Sequence, residues 1–266
     1  MLLVTDLDGT FLKDDKTFNR PAFEKLLLAW RRAGHHFAIA SGRELKWIER
    51  WFDDLLTEID VVASNGAVLQ RVGRSPIAVT IRPASYVALQ ELIDTYPEKP
   101  TELHGFSTQS MYLHQAYPAM HADSLAFAKQ VYNLVLVDGF QQVKEPLTTI
   151  TGHWSEVAAE EIIKKINQAD LALYATTSGY GSVDILPAGV NKAVTLKQLL
   201  ASNAMQTTDL IAVGDGMNDL EMLALAQQGY IMPQSDQRLF DYNFKAIDLD
   251  NNHDGVLALM AKLLTE

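Results

Sequence analysis

Short apolar runs alternate with segments of helical period over roughly the first eighty residues. Leu2 to Asp6 predicts a buried strand. Asn19 to Arg32 predicts a helix with Asn19 as N-cap and Pro21 inside the first turn. His36 to Ala40 is a second strand, Arg43 to Leu56 a second helix and Ile59 to Ala63 a third strand. Strand and helix in that alternation build a parallel sheet with helices on its faces. Asn65-Gly66-Ala67 then leads into a hairpin, Val68 to Arg71 and Ile77 to Ile81, turned at Gly73.

From about Pro83 the pattern changes. A helix (Ala84 to Thr95) precedes strands near Thr101 to Phe106 and Met111 to His114. A helix near Pro118 to Val131 follows, then strands at Leu134 to Val137 and Thr148 to Thr151. A helix from Glu156 to Asn167 comes next, then strands at Leu171 to Thr177 and Ser182 to Leu186. Strand pairs between helices predict a separate α+β unit. After Pro187 the βα alternation returns. Helix Asn191 to Ser202, strand Leu210 to Val213, helix Asn218 to Ala226, strand Tyr230 to Met232 and a last helix near Gly255 to Leu264 complete it. The fold class expected is α/β: a parallel, Rossmann-like sheet core from residues 1–82 and 188–266, with an inserted α+β cap over 83–187.

Composition narrows the picture only a little. Of 266 residues 48% are apolar and 21% charged, a globular profile. Runs such as Leu26 to Trp30 and Leu220 to Ala226 are far too short to span a membrane. Met1 to Asp6 has no basic stretch and meets an acid at once, against a signal peptide, so the cytoplasm is the expected compartment. With no cysteine, disulfide and thiolate chemistry are excluded. Net charge is −11 with no basic run, which disfavours nucleic acid as a partner, and no protein partner is expected.

Four pieces of candidate chemistry sit at strand ends. Asp6-Leu7-Asp8-Gly9-Thr10 closes the first strand. Side chains two apart in an extended segment share a face, roughly 6.5 Å apart, so Asp6 and Asp8 are expected to flank one reacting group. Alone, the segment also reads as a plain polar turn. Ser41-Gly42-Arg43 ends the second strand and offers a hydroxyl and backbone donors to a phosphate, or Ser41 simply caps a helix. Lys192 stands in the first turn of a helix, against the helix dipole, where it either offsets a nearby anion or is a solvated lysine. Gly214-Asp215-Gly216-Met217-Asn218-Asp219 is the most specific piece. It gathers hard oxygen ligands on one strand-to-helix loop, suited to Mg²⁺, and lacks the spacing of an EF-hand calcium loop.

With these four pieces in this order, the chain resembles the haloacid dehalogenase superfamily of phosphohydrolases. The placement of the insertion is similar to its Cof-type group. Thr177-Ser178-Gly179-Tyr180-Gly181 with Asp184-Ile185, Asp250 to Gly255, and Thr10 to Asp14 look closest to its sugar-phosphate phosphatase branch. The resemblance implies that Asp6 attacks phosphorus to form an aspartyl-phosphate and that Asp8 protonates the leaving alcohol, then activates water. It implies Mg²⁺ held by Asp6, the Asp8 carbonyl and Asp215, with Asp219 supporting from behind. Leu7, Ser41, Gly42, Lys192 and Asn218 would hold phosphate oxygens. On these roles the Asp8 pKa is expected to be raised, by neighbouring carboxylates and by water exclusion under a closed cap.

The implied substrate is a small phosphorylated metabolite, with hexose phosphates the leading class. For the cap contact the candidates are His104, Tyr112, His114, Trp154, Ser178 and Tyr180. Gly179-Tyr180-Gly181 comes first, because two glycines let a loop bend toward the core. His253 reads as a helix-start or packing residue. Met232-Pro233-Gln234-Ser235 departs from the pattern of similar proteins, where Met-Gly-Asn-Ala is usual, so contacts from that loop are not carried over. Two rivals use the same residues: a sugar-phosphate mutase and a non-catalytic sensor of phosphometabolites.

Overall fold

The computed structural model describes residues Met1–Thr265, apart from the side chain of Ser178. The chain begins β1 (Leu2–Thr5), α1 (Arg20–Arg32), β2 (His36–Ala40), α2 (Leu45–Phe52), β3 (Asp60–Ala63), β4 (Val68–Gln70) and β5 (Ile77–Ala78). It continues α3 (Pro83–Thr95), β6 (Glu102–Phe106), β7 (Ser110–Pro118), α4 (Ala122–Val131), β8 (Asn133–Val137) and β9 (Thr149–His153). Next come α5 (Glu156–Gln168), β10 (Leu173–Gly179), β11 (Ser182–Pro187), α6 (Lys192–Ser202) and β12 (Leu210–Gly214). The chain closes with α7 (Leu220–Leu225), β13 (Gln228–Ile231), β14 (Lys245–Ala246) and α8 (Gly255–Leu263).

Two sheets result. The larger has the order β14-β13-β12-β1-β2-β3-β4-β5 and is parallel from β14 to β3, with β4 and β5 antiparallel at one edge. Its central strands are apolar on both faces, as burial between two helical layers requires. Leu3, Phe37, Ile39, Ile211 and Val213 pack with Phe23, Leu27 and Trp30 of α1 and with α2 and α8. Leu2, Val4, Ala38, Ala40 and Ala212 pack on the other side with Leu196, Leu199 and Leu200 of α6 and with α7. Each fully buried large side chain of α1 contributes about 1.5–3 kcal/mol by leaving water. The Asn19 side chain accepts from the Ala22 N–H at the start of that helix, as its cap pattern predicts.

The second sheet, β10-β11-β9-β6-β7-β8, is built only from strands between Glu102 and Pro187. It is antiparallel except for β7 beside β8.

Several element boundaries differ from expectation for local reasons. The second helix starts at Leu45 rather than Arg43 and gives way at Asp53, where a φ of 43° breaks the ladder and a tighter 3₁₀ turn runs to Thr57. The segment at Pro118 is strand, because β7 extends to pair Pro118 with Glu102 across a bulge, and helix begins only at Ala122. Met217–Asp219 is a 3₁₀ turn ahead of α7, and β14 has too short an apolar run to be read in advance.

Candidate active site

In the large sheet β12, β1 and β2 are neighbours, so their carboxyl ends, Gly214, Thr5 and Ala40, open onto one place. The chain runs outward from β1 in both directions, through β2 to β3 and through β12 to β14. This makes the end of β1 a switch point of the sheet, where open α/β sheets bind ligands.

Asp6 follows β1 directly, its N–H bonded to the Val213 carbonyl at 2.9 Å. The strand stops there. The Leu7 carbonyl accepts from the N–H groups of Thr10, Phe11 and Leu12 at 3.2, 3.0 and 2.8 Å, and this turns the chain. Gly9 has φ +73°, and a Cβ in its place would collide with the Asp215 carboxylate. Glycine therefore lets the first loop and the loop after β12 approach closely. Thr10 seals the approach, its hydroxyl donating to Asp215 Oδ1 at 2.7 Å.

Lys192 is the first residue of α6 and is 1% exposed. Its ammonium donates to Asp6 Oδ1 at 2.8 Å and to Asp219 Oδ1 at 2.6 Å. Burial works to lower the Lys192 pKa, but Asp219 and Asp6 outweigh it and raise it. The other oxygen of Asp219 accepts from the N–H groups of Asp215 and Gly216 at 3.0 and 3.1 Å. Burial holds the Asp6 carboxyl well above the usual range, with Lys192 opposing and Asp219 and Asp215 adding to the rise. Asp215 is pushed up to about 7 by burial and by Asp219, against the Thr10 hydrogen bond.

Carboxylate oxygens of Asp6, Asp215 and Asp219 lie within 4.8 Å of one another. Three carboxyls share this space with a single ammonium. A hard-oxygen set with surplus negative charge fits a divalent cation such as Mg²⁺.

Asp8 is placed differently from expectation. Its Oδ2 accepts from Arg43 Nε at 2.8 Å, and its Oδ1 accepts from Arg43 Nη2 at 3.0 Å and Lys16 Nζ at 2.7 Å. Burial alone would raise its pKa, but the Arg43 and Lys16 bonds and charges outweigh burial and lower it to about 2. The expected rise is thus corrected. The alternation that puts Asp6 and Asp8 on one face ends with the strand at Thr5, and the turn delivers Asp8 to two cations.

The remaining residues divide. Leu7 is buried beneath the turn. Ser41 is buried with its hydroxyl accepting from the Arg43 N–H at 3.1 Å, so it shapes the strand-to-helix loop, and Gly42 faces the Asn65 amide. Asn218 Nδ2 donates to Asn65 Oδ1 at 3.1 Å. Gly179 ends β10, its N–H donating to Thr177 Oγ1 at 2.9 Å. Tyr180 and Gly181 form the two-residue turn of the β10–β11 hairpin, with φ 53° and 76°, and the Tyr180 side chain is 92% exposed. Gly181 is required instead by its contact with the Trp154 carbonyl. The Ser178 side chain lies outside the described residues. Trp154, Tyr112 and His114 are buried in the second sheet's layer, and His253 is an exposed helix-start residue bonded to Asp250 at 2.7 Å.

Sequence reasoning left out Arg43 and Lys16 as partners of Asp8, and Asn65 as the bridge to Asn218. Arg43 follows Ser41-Gly42 directly, a signal that was available. Lys16 carried none. The Met232-Pro233-Gln234-Ser235 loop does make contacts: Gln234 Nε2 donates to the Gly9 carbonyl at 2.7 Å and to Asn251 Oδ1 at 3.0 Å, bracing the Gly9 turn.

The 5-amino-6-(5-phospho-D-ribitylamino)uracil phosphatase YbjI of Escherichia coli is 28% identical, over 99% of this chain and 96% of its own. The solved structure of SMU.1108c from Streptococcus mutans has a TM-score of 0.89 at 25% identity, covering 100% of this chain and 99% of that one. The HAD subclass IIB sugar phosphatase BT4131 shares the fold, with a TM-score of 0.80 at 18% identity and 98% of each chain covered. The family model of the haloacid dehalogenase-like hydrolases matches residues 3–260. A match over nearly the whole chain, with acidic loops meeting at the switch point of the sheet, identifies the protein as a phosphoric monoester hydrolase that belongs to the haloacid dehalogenase-like hydrolases.

Proposed function

We propose that this enzyme is a Mg²⁺-dependent phosphatase of small phosphorylated metabolites, sugar and polyol phosphates first among them, acting through an aspartyl-phosphate on Asp6. The observation that carries the reading is the arrangement of Asp6, Asp215 and Asp219 around buried Lys192 at the end of β1. The relatives' names add support for the substrate class, since one acts on a phosphorylated ribityl chain and another is a sugar phosphatase.

In this reading an Asp6 carboxylate oxygen attacks phosphorus and the bond to the leaving oxygen breaks. Asp8 gives that oxygen its proton, then takes one from the water that cleaves the aspartyl-phosphate. Arg43 and Lys16 hold Asp8 ionised, so before it can donate it must part from them and take up a proton from bulk water. Asp6, the Asp8 carbonyl and Asp215 would hold Mg²⁺, and Asp219 would steady Lys192 and the loop N–H groups. The ion would supply charge neutralisation between two anions that otherwise repel. Leu7, Ser41, Gly42, Lys192 and Asn218 would hold the phosphate oxygens. Residues 1–82 and 188–266 would form the catalytic core and 83–187 the cap that reads the leaving group. No helix among the described residues is long and apolar enough to cross a membrane, and a cytoplasmic setting suits a metabolite phosphatase.

The test is phosphate release from p-nitrophenyl phosphate with and without Mg²⁺, using Asp6→Asn as control. Turnover that needs the ion and falls on the order of 10³-fold or more in Asp6→Asn is the expected result. Near-wild-type turnover in Asp6→Asn would reject Asp6 as the nucleophile.

A further inference from the structure

The turn after β3, Ser64–Gly66, supplies no group to the chemistry described above, yet several parts of the site converge on it. Its three residues are buried and all have positive φ: 51° at Ser64, 50° at Asn65 and 105° at Gly66. Left-handed backbone is costly for a residue with a side chain, less so for Asn than for most, and persists where surrounding contacts demand it.

Those contacts run to both flanks. The Ser64 N–H donates to the Arg43 carbonyl and the Asn65 N–H to the Ser41 carbonyl, each at 2.9 Å, so the turn grips the Ser41-Gly42 loop. Gly42 lies against the Asn65 amide, where a Cβ would come within 3.3 Å of Nδ2. On the other flank Gly66 abuts the Asn191 carbonyl, with which any side chain at that position would collide. The Thr195 hydroxyl donates to the Gly66 carbonyl at 2.7 Å. The start of α6, and Lys192 with it, is thereby set against the same turn.

The Asn65 side chain makes the most selective contacts. Its Nδ2 donates to Asp184 Oδ2 at 2.9 Å, and its Oδ1 accepts from Asn218 Nδ2 at 3.1 Å. The two bonds fix an orientation. A carboxylate only accepts, so the NH₂ end of Asn65 faces Asp184 and its oxygen faces Asn218. Opposite that oxygen, Asn218 must present its own NH₂. An amide NH₂ holds two donors, so one remains after the bond to Asn65. An Asn218 amide turned the other way would offer its oxygen, which an anionic phosphate repels.

We infer that Asn65 is a positioning residue of the phosphate cradle: its amide, held by Asp184, aims an Asn218 N–H at a phosphate oxygen. The inference rests on the phosphatase reading above, in which Asn218 holds phosphate. Asn65 touches neither the phosphorus nor the leaving group; it acts through Asn218, while its backbone keeps the Ser41-Gly42 loop in register.

The experiment measures the inhibition constant of inorganic phosphate against p-nitrophenyl phosphate, with Mg²⁺ present, in the wild type, Asn65→Gly, Asn218→Ala and the double variant. Glycine adopts positive φ freely, so Asn65→Gly removes the amide and keeps the backbone bond to Ser41. Each single variant should raise the constant about tenfold, as expected for losing a hydrogen bond to a charged group. The double variant should also stand about tenfold above wild type, because both changes remove one shared interaction. A merely structural Asn65 would give independent losses, about 100-fold in the double variant. Asn65→Ala carries the same cycle if Asn65→Gly does not fold. Independent losses, or an unchanged constant in either single variant, would overturn the inference while leaving the phosphatase reading intact. A wild type that releases no phosphate, with or without Mg²⁺, would overturn both.

Discussion

Lys192 shows how much one buried side chain can be asked to do. A lysine in the first turn of α6 opposes the helix dipole, and a fully buried ammonium is costly on its own. Asp6 and Asp219 make the position tenable, and Lys192 in turn keeps them from standing as unpaired buried anions. Lys192→Met should therefore destabilise the metal-free fold by about 3–5 kcal/mol, the range for breaking a buried ion pair from one side. Chemical denaturation would show it as a lowered midpoint, and an unchanged midpoint would mean the carboxyls had simply taken up protons at no cost. The sequence made this residue visible through its odd place at a helix start, but not its partners, which lie 186 and 27 residues away along the chain. Asp8 illustrates the opposite case. Its type and spacing were plain, yet strand periodicity carries no information beyond Thr5, and only the folded turn brings Lys16 and Arg43 to it.

At the scale of elements, the start of α2 meets the end of α4. The hydroxyl of Tyr132, which caps α4, donates to Glu44 at 2.8 Å. Burial pushes the Glu44 carboxyl up, against the Tyr132 bond and the nearby charges of Arg43 and His104. A carboxyl whose folded pKa exceeds its unfolded value binds its proton more tightly in the native state. Stability from this group is therefore greatest below the unfolded pKa and is lost as pH rises through the folded one. Glu44→Gln keeps an acceptor for Tyr132 and removes the titration. The melting temperature of Glu44→Gln relative to wild type should accordingly rise between pH 4.5 and pH 8. A constant difference across that range would show that Glu44 titrates alike in both states. Most helices and strands were legible from apolar period alone, because α1, α5 and α6 have a buried stripe and a cap residue in the sequence. What was not legible were boundaries decided by long-range pairing, as where β7 runs on to Pro118.

For the whole molecule, the acidic cluster ties together loops from both ends of the chain, so a cation bound there should stabilise the entire fold. At about one hundred times its dissociation constant, Mg²⁺ should add about 2.7 kcal/mol. Melting with Mg²⁺ and then with excess EDTA should show a reversible rise in the wild type and a much smaller one in Asp215→Asn. An equal rise in both would place the ion elsewhere.

The pairing of β1 with β12, Leu2 beside Leu210, has a consequence for synthesis. A chain leaving the ribosome from its N-terminus exposes every strand of the second sheet, which ends at Pro187, before Leu210 has been added. That unit can close on its own contacts while β1 still has one open edge. Asp6 gains both its lysine and the Asp215 loop only late in translation, so the second sheet is complete before the acidic cluster can form.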